Sequence, residues 1–148
     1  MKGRLLFLLR ELKSKFHWLS LWVPVLIQMG LIFYFSSQPG GSPALEQFPL
    51  PAGLGHFLGY GLLGLLLYRA FNDGFASWSI TATLRAFFVG LFYAISDEVH
   101  QLFVPGREAS VFDLLIDAAG LVIALVAIFA INLAIFHNIK LFTKNRNR

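Results

Sequence analysis

A polar stretch at residues 96–107, which reads SDEVHQLFVPGR, ends one long hydrophobic segment of the chain and precedes another. It brings two carboxylates, a histidine and an arginine into a sequence that is 57% hydrophobic and only 14% charged. The flanking segments, at about 84–103 and 111–136, are long enough to cross a bilayer as helices. The stretch therefore predicts a turn at a membrane surface, with Pro105 and Gly106 at the turn itself.

The composition of the whole chain predicts an integral membrane protein. Its mean hydropathy is +0.67, and a soluble domain of 148 residues could not bury that much apolar surface. Two further hydrophobic segments, at about 18–36 and 54–71, bring the number of predicted spans to four. Four spans use up nearly the whole chain, so we expect one all-α membrane domain over residues 1–148. The absence of cysteine excludes disulfide and thiolate chemistry.

Both ends of the chain are basic. Over residues 1–16, leucines recur at spacings of three and four with lysine and arginine largely on the other side, which predicts an amphipathic helix at the membrane interface. A signal peptide is the alternative, but no small-residue cleavage site follows the leucines, so we expect this segment to be retained. Residues 138–148 are predicted to form a basic cytoplasmic tail.

The positive charges also predict the orientation of the chain in the membrane. Five lie at the N-terminus, Arg69 and Arg85 flank the second loop, and four lie in the C-terminal tail. Cytoplasmic segments carry the excess of lysine and arginine, so we expect both termini in the cytoplasm and the first and third loops outside. Because this distribution explains the net charge of +4, nucleic-acid binding is not expected.

With this topology, all four spans bring polar side chains to one level near the outer face of the membrane. A charge at the centre of a membrane helix costs about 2.5–3.5 kcal/mol on insertion scales, so carboxylates at this depth must face each other, water or a ligand. The pattern therefore predicts a pocket open to the outside. Its members are the ends of the spans at Ser36 to Gln38, His56, Tyr60, Asp97, Glu98, His100, Gln101, Asp113 and Asp117.

Asp97, His100 and Asp117 are the candidate reactive residues of this pocket. Carboxylates with a histidine serve general acid–base catalysis, and the same three residues are the candidate ligands of a divalent metal ion, although no standard metal-binding spacing is present. Arg107, beside a helix N-terminus, is the candidate clamp for an anion. The supporting candidates for ligand binding are Glu98, Gln101, His56, Tyr60 and Asp113.

Several of these residues also have a purely structural interpretation. Ser110 and Asp113 have the spacing of a capping box, so Asp113 would then only satisfy the backbone at the start of the fourth span. Arg107 would then be a positional anchor or an ion-pair partner of Asp113, and His56 an interfacial hydrogen-bonding residue. Elsewhere, Gln28 and Asn132 are predicted to make interhelical hydrogen bonds, and the Gly55–Gly59 spacing predicts a close helix contact.

The stretch at 96–107, together with Asp113, Asp117 and Gly120, resembles the VanZ-like family of bacterial membrane proteins. FSSQP at 35–39 and HFLGYGLLG at 56–64 resemble the family's two earlier motifs in the same order, so the resemblance covers about residues 20–125. One difference is that Gly53 and Leu54 stand where the resemblance predicts a lysine, so an anion site would depend on Arg107 alone. The best-known member of the family is associated with resistance to teicoplanin, which acts outside the cell membrane on cell-wall precursors.

These features lead to one functional hypothesis and two alternatives. The hypothesis is a protein of the bacterial cytoplasmic membrane whose outer pocket binds an amphiphilic envelope molecule, lipid-linked or glycopeptide-like, with chemical modification of that ligand left open. The first alternative is a transporter or flippase of a lipid-linked substrate, in which the acidic residues relay protons. The second is a non-catalytic assembly subunit, in which the polar residues hold the helices together.

Overall fold

The computed structural model describes residues 2–43 and 51–146, and within this part of the chain four long helices follow one another. They are α1 (Lys2–Ser36), α2 (Ala52–Phe71), α3 (Ile80–Gln101) and α4 (Val111–Arg146). The segments long and apolar enough to cross a membrane are Arg10–Ser36, Gly53–Phe71, Ile80–Gln101 and Val111–Lys140. The prediction of an all-α, multi-pass membrane protein with four spans is confirmed. Glu46 in the predicted first loop and Arg148 in the predicted tail lie outside the described residues.

The helix ends differ from the predicted ones in three places. The basic N-terminal segment and the first span form one continuous helix, α1. Helix α3 begins at Ile80, earlier than predicted, because the Ser79 hydroxyl accepts a hydrogen bond from the Ala82 N–H at 3.3 Å and caps the helix. Helix α4 continues to Arg146, so most of the predicted basic tail is helical. Basic residues favour a helix C-terminus because they complement its dipole.

Helices α2 and α4 make the closest contact in the bundle, and glycines allow it. A Cβ atom at Gly120 would overlap the carbonyl oxygen of Phe57, and one at Gly61 would lie 3.4 Å from the carbonyl oxygen of Gly120. The predicted close contact at Gly55 is wrong, because no atom of residues 2–43 or 51–146 lies within 4 Å of a Cβ added there. At Gly59 such a Cβ would be in ordinary contact with α1, at 3.8–4.0 Å. Of the predicted pair, Gly59 packs against α1, whereas the tighter contact of α2 with α4 is made at Gly61.

Polar side chains join α1 to its neighbours inside the bundle. The Gln28 amide donates to the carbonyl oxygen of Gly59 in α2 at 3.0 Å, which confirms its predicted interhelical role. The Tyr93 hydroxyl of α3 donates to the carbonyl oxygen of Met29 at 2.7 Å. The corresponding prediction for Asn132 is wrong, because its amide donates to the carbonyl oxygen of Ile128 in its own helix at 3.0 Å.

An arginine compensates for the proline inside α1. Pro24 has no N–H group, so the carbonyl oxygen of Ser20, four residues earlier, lacks its usual helical donor. The Arg69 guanidinium of α2 donates to this oxygen through Nη1 at 3.0 Å. A side chain of one span therefore replaces a backbone hydrogen bond that the sequence of another span removes.

The Arg69→Met variant is expected to lose about 1 kcal/mol of stability, since the Ser20 carbonyl then has no donor. In a Pro24→Ala background the α1 backbone regains the missing N–H, so the same Arg69→Met change should cost clearly less. Thermal unfolding of the four proteins in detergent, followed by size-exclusion chromatography, gives this comparison. Equal losses in both backgrounds would show that Arg69 stabilises the protein in another way.

Candidate functional site

One end of the bundle collects the C-termini of α1 and α3 and the N-termini of α2 and α4. The loops after α1 and α3 meet there, with the Gly40 N–H donating to the carbonyl oxygen of Pro105 at 3.1 Å. A Cβ atom at Gly40 would overlap the carbonyl oxygen of Gly106, so this contact requires a residue without a side chain. We call the buried and half-buried polar side chains at this end the polar cluster: Ser36, His56, Tyr60, Asp97, Glu98, Gln101 and Asp117.

His56 and Asp117 form a buried pair between α2 and α4. The Nδ1 atom of His56 lies 3.1 Å from Oδ1 of Asp117. The Asp117 side chain is fully buried, and His56 is largely buried. The close approach at Gly120 lies one turn further along α4, so the same helix contact that requires glycine also brings these two side chains together.

Glu98 connects the end of α3 to the start of α4. Its Oε2 atom accepts a hydrogen bond from the Ser110 N–H at 2.7 Å, while the Ser110 hydroxyl accepts one from the Asp113 N–H at 3.2 Å. In a capping box, Asp113 would itself accept from the Ser110 N–H. Here the acceptor of the Ser110 N–H is instead Glu98, which belongs to α3. Asp113 is half-buried and lies close enough to His56 for the two side chains to interact electrostatically.

Gln101 lies between two buried carboxylates of its own helix. Its side-chain nitrogen is 3.4 Å from Oδ2 of Asp97 and also 3.4 Å from Oε1 of Glu98. These distances are long for hydrogen bonds, so the amide only partly satisfies each carboxylate. The arrangement keeps one polar donor within reach of both acidic side chains.

His100 and Arg107, two of the predicted site residues, contact the end of α1. The His100 ring lies 4.6 Å from the ring of Phe33, and its Nε2 atom is 3.0 Å from the Ser37 hydroxyl. The Arg107 guanidinium donates to the carbonyl oxygen of Phe35 at 2.9 Å and to that of Gln38 at 3.3 Å. Arg107 thus donates to two carbonyl groups at the end of α1, and one of them, that of Phe35, also accepts a hydrogen bond from the Gln38 N–H at 3.2 Å. Its predicted role as an anion clamp stays a prediction.

Four oxygen atoms of the polar cluster are buried without a hydrogen-bond partner in the described part of the chain. They are the hydroxyl groups of Ser36 and Tyr60, Oδ1 of Asp97 and Oδ2 of Asp117. Asp97 and Asp117 both lie close enough to Tyr60 to interact with it electrostatically, so the three residues are neighbours in the cluster. Buried polar atoms are nearly always hydrogen-bonded in native proteins. Their partner is therefore expected to be a bound water, ion or ligand group.

His56, Glu98 and Asp117 form a group with the character of a metal site. Each offers one ligand atom such that all three atoms lie within 4.8 Å of one another. The set predicted from the sequence, Asp97, His100 and Asp117, shares only Asp117 with this group. Residues 98 and 100 are about 200° apart around a helix, so the side of α3 that carries Glu98 toward α4 turns His100 toward α1.

Two serines of this end interact with acidic side chains of the cluster, and only Ser36 was among the predicted pocket residues. Ser36 is buried at the end of α1, close to the Asp97 carboxylate. The Ser110 N–H donates a hydrogen bond to Glu98 at 2.7 Å. Ser36 stands in the FSSQP motif, which was a signal for it. Nothing in the spacing of the chain indicated the contact between Glu98 and Ser110, because it depends on how α3 and α4 are oriented.

The comparisons with known proteins give one match. The family model described as VanZ/LLP1 matches residues 21–137. The matched range includes every member of the polar cluster and the transmembrane parts of α2 and α3. Neither the comparison with curated proteins nor that with solved structures gives a match.

Proposed function

The chain belongs to the VanZ-like family of membrane proteins, and from this premise we propose that its polar cluster binds an amphiphilic molecule of the bacterial cell envelope. The observation that carries the proposal is the set of unpartnered oxygen atoms of Tyr60, Asp97 and Asp117 at one end of a four-span bundle. These atoms offer hydrogen-bonding capacity to a polar headgroup. Such a cluster near the ends of transmembrane helices lies at the level of lipid headgroups.

Apolar side chains beside the polar cluster suit the other half of an amphiphile. Phe103, Val111 and Phe112 are 79%, 77% and 69% exposed. Phe103 lies in the loop between α3 and α4, and Val111 and Phe112 begin α4 directly after Ser110, whose N–H donates to Glu98. A ligand whose headgroup enters the cluster would place its apolar part along this surface, which is the arrangement that a lipid-linked or glycopeptide-type molecule requires.

The orientation proposed for the site is extracytoplasmic. The basic residues of the N-terminal segment, the second loop and the C-terminal tail favour cytoplasmic positions for both chain termini. The polar cluster lies at the other end of the bundle from Arg69 and the second loop. It would then face the compartment in which envelope precursors are exposed and in which teicoplanin acts.

The His56–Asp117 pair also has the arrangement required for general base catalysis. Asp117 orients the ring through Nδ1, so Nε2 is the nitrogen that would accept a proton from a bound hydroxyl or water. If the protein also modifies the bound molecule, the modification depends on this proton transfer to Nε2 of His56. Binding alone depends on Tyr60, Asp97 and the remaining carboxylates.

The contacts within the bundle favour binding over proton-coupled transport. A proton relay needs ionisable groups that continue toward the opposite face. In the described residues, Gln28 and Tyr93 lie on that route, and both donate to backbone carbonyl groups. Asn132, the other inward polar residue, bonds within its own helix.

Teicoplanin susceptibility in a Gram-positive host tests the proposal. Expression of the wild-type protein is expected to raise the teicoplanin concentration that the host tolerates. Asp97→Ala and His100→Ala should return this concentration to that of the empty vector. Asp97 offers an unpartnered oxygen, and His100 holds the end of α1 against the cluster.

The matched control is Glu108→Gln, which removes an exposed carboxylate from the same loop and should behave as the wild type. Membrane fractions must contain each variant at wild-type levels. Unchanged tolerance in correctly inserted Asp97→Ala and His100→Ala proteins would overturn the proposal. A decrease explained entirely by lower amounts of protein would instead favour a structural role for the cluster.

A further inference from the structure

We propose that His56, Glu98 and Asp117 bind one divalent transition-metal ion, of which Zn²⁺ and Mn²⁺ suit the donor atoms best. This inference goes beyond the envelope ligand, because all the proposed protein ligands of the metal ion belong to the chain itself. The three residues come from three different helices, α2, α3 and α4, so a metal ion would also join these helices at their polar end.

The donor atoms are close to the spacing of a metal coordination shell. Zinc is bound by histidine nitrogen and carboxylate oxygen at about 2.0–2.2 Å, which places tetrahedral ligands roughly 3.4 Å apart. Nδ1 of His56 and Oδ1 of Asp117 are 3.1 Å apart, so a metal ion would replace the hydrogen-bonding proton between them. One ligand atom from each of the three residues lies within 4.8 Å of the others, and a small side-chain rearrangement that brings these atoms to roughly 3.4 Å would complete the geometry.

The surroundings of Glu98 resemble the outer shell that orients metal ligands. Its Oε2 atom is held by the Ser110 N–H at 2.7 Å, and the Gln101 amide approaches Oε1 at 3.4 Å. Ligating carboxylates in proteins are commonly fixed by such hydrogen bonds. The Ser110 contact engages Oε2 of Glu98, so Oε1 is the oxygen proposed to bind the metal ion.

The unpartnered oxygen atoms provide an independent indication of a bound ion. Asp117, Asp97 and Tyr60 are 0%, 3% and 1% exposed, and each has an oxygen without a hydrogen-bond partner. A metal ion held by three protein ligands keeps water molecules in its remaining positions. Those waters would donate hydrogen bonds to Oδ1 of Asp97 and to the Tyr60 hydroxyl oxygen.

The charges around the group also favour a cation. Four acidic side chains interact electrostatically at this end of the bundle, and only two histidines lie among them. The acidic residues are Asp97, Glu98, Asp113 and Asp117, and the histidines are His56 and His100. The Arg107 guanidinium is engaged by backbone carbonyl groups of α1. Unbalanced charge is costly at membrane depth. A divalent cation would offset the excess of carboxylates.

The chemical nature of the three ligands determines which metal ions the site would bind best. One imidazole and two carboxylates suit Zn²⁺ and Mn²⁺, since imidazole favours the transition metals and carboxylate oxygens accept both ions. Ca²⁺ and Mg²⁺ prefer oxygen ligands alone, and Ca²⁺ also needs six to eight of them. No thiolate is available, because the chain has no cysteine.

Metal binding by the full-length protein in detergent tests the inference. After treatment with a chelator, the wild type is expected to take up one Zn²⁺ or Mn²⁺ per chain, measured by elemental analysis and, for Mn²⁺, by electron paramagnetic resonance. Asp117→Asn and Glu98→Gln should weaken the affinity at least tenfold, since even outer-shell changes cost about 10–100-fold. Both replacements keep the shape of the side chain, and a glutamine at position 98 can still accept from the Ser110 N–H.

Two further variants separate this inference from the proposed function. Glu108→Gln, on the exposed loop, should bind metal as the wild type does. Asp97→Asn is expected to lose teicoplanin tolerance but still to take up one ion per chain at saturating metal concentration, with a lower affinity, because Asp97 lies in the outer shell and is not a proposed ligand. Absence of stoichiometric uptake by the wild type, or equal affinities of wild type, Asp117→Asn and Glu98→Gln, would overturn the metal site. The envelope-binding proposal would survive that result if Asp97→Asn still lost tolerance.

Discussion

Replacement of Gly120 by alanine is expected to disrupt the bundle, because no side chain fits between α4 and α2 at this position. A Cβ atom there would overlap the carbonyl oxygen of Phe57 and lie 3.1 Å from the backbone nitrogen of Gly61. Backbone atoms cannot change rotamer to make room. Overpacking of a core typically costs about 1–3 kcal/mol, and we expect Gly120→Ala at or above the upper end of this range.

Gly55→Ala is the matched control, since it adds the same methyl group to α2 where nothing lies within 4 Å. Alanine is favoured over glycine within a helix by about 0.5–1 kcal/mol, so this variant should be as stable as the wild type or more so. Heating detergent-solubilised protein and measuring the monodisperse fraction by size-exclusion chromatography compares the two. If Gly120→Ala and Gly55→Ala lost the folded form at the same temperature, the close approach of α2 and α4 would not be essential.

The Asp117→Leu variant is expected to lose about 3–5 kcal/mol, the usual cost of removing one partner from a buried ion pair. Asp117 is fully buried and pairs with His56 across the α2–α4 contact. Without it, the Nδ1 atom of His56 loses the acceptor that it has in the described part of the chain. His56→Phe alone should also be destabilising, because it leaves the Asp117 carboxylate buried without its partner.

The double variant His56→Phe, Asp117→Leu should recover most of the lost stability. Replacing both members of a buried pair by apolar residues is often neutral or stabilising, so the two changes are expected to be strongly non-additive. Teicoplanin tolerance and metal uptake should nevertheless stay absent. Thermal unfolding of the four proteins in this mutant cycle, with metal analysis of each, gives the comparison. A double variant as unstable as the sum of the single changes would mean that the residues act independently.

Much of the fold could be predicted from the sequence because a bilayer imposes local rules. Each backbone polar group inside it must be satisfied within the chain, so an apolar run of sufficient length becomes a helix. The four spans follow from this rule. The concentration of His56, Asp97, Glu98 and Asp117 near span ends likewise predicted that polar groups would meet at one end of the bundle, and the structure places them together there.

The identity of the contacting pairs could not be predicted from spacing. His100 was grouped with Asp117, but it contacts Ser37 and Phe33 of α1, while Glu98 lies beside Asp117 and His56. Helical periodicity relates residues 98 and 100 to each other. It does not say which neighbouring helix each face meets, since that depends on the rotation of α3 about its axis.

The sequence by itself therefore determined the number of spans, their helical class and the gathering of polar residues at the ends of the spans, because these follow from transfer free energies of local segments. The tertiary structure decided which side chains form the cluster. That choice depends on the Gly120 contact, which sets the distance between α2 and α4, and on the pairing of Glu98 with the Ser110 backbone, which links α3 to α4. Such contacts join residues distant in the chain, and their energies exist only after the helices have packed.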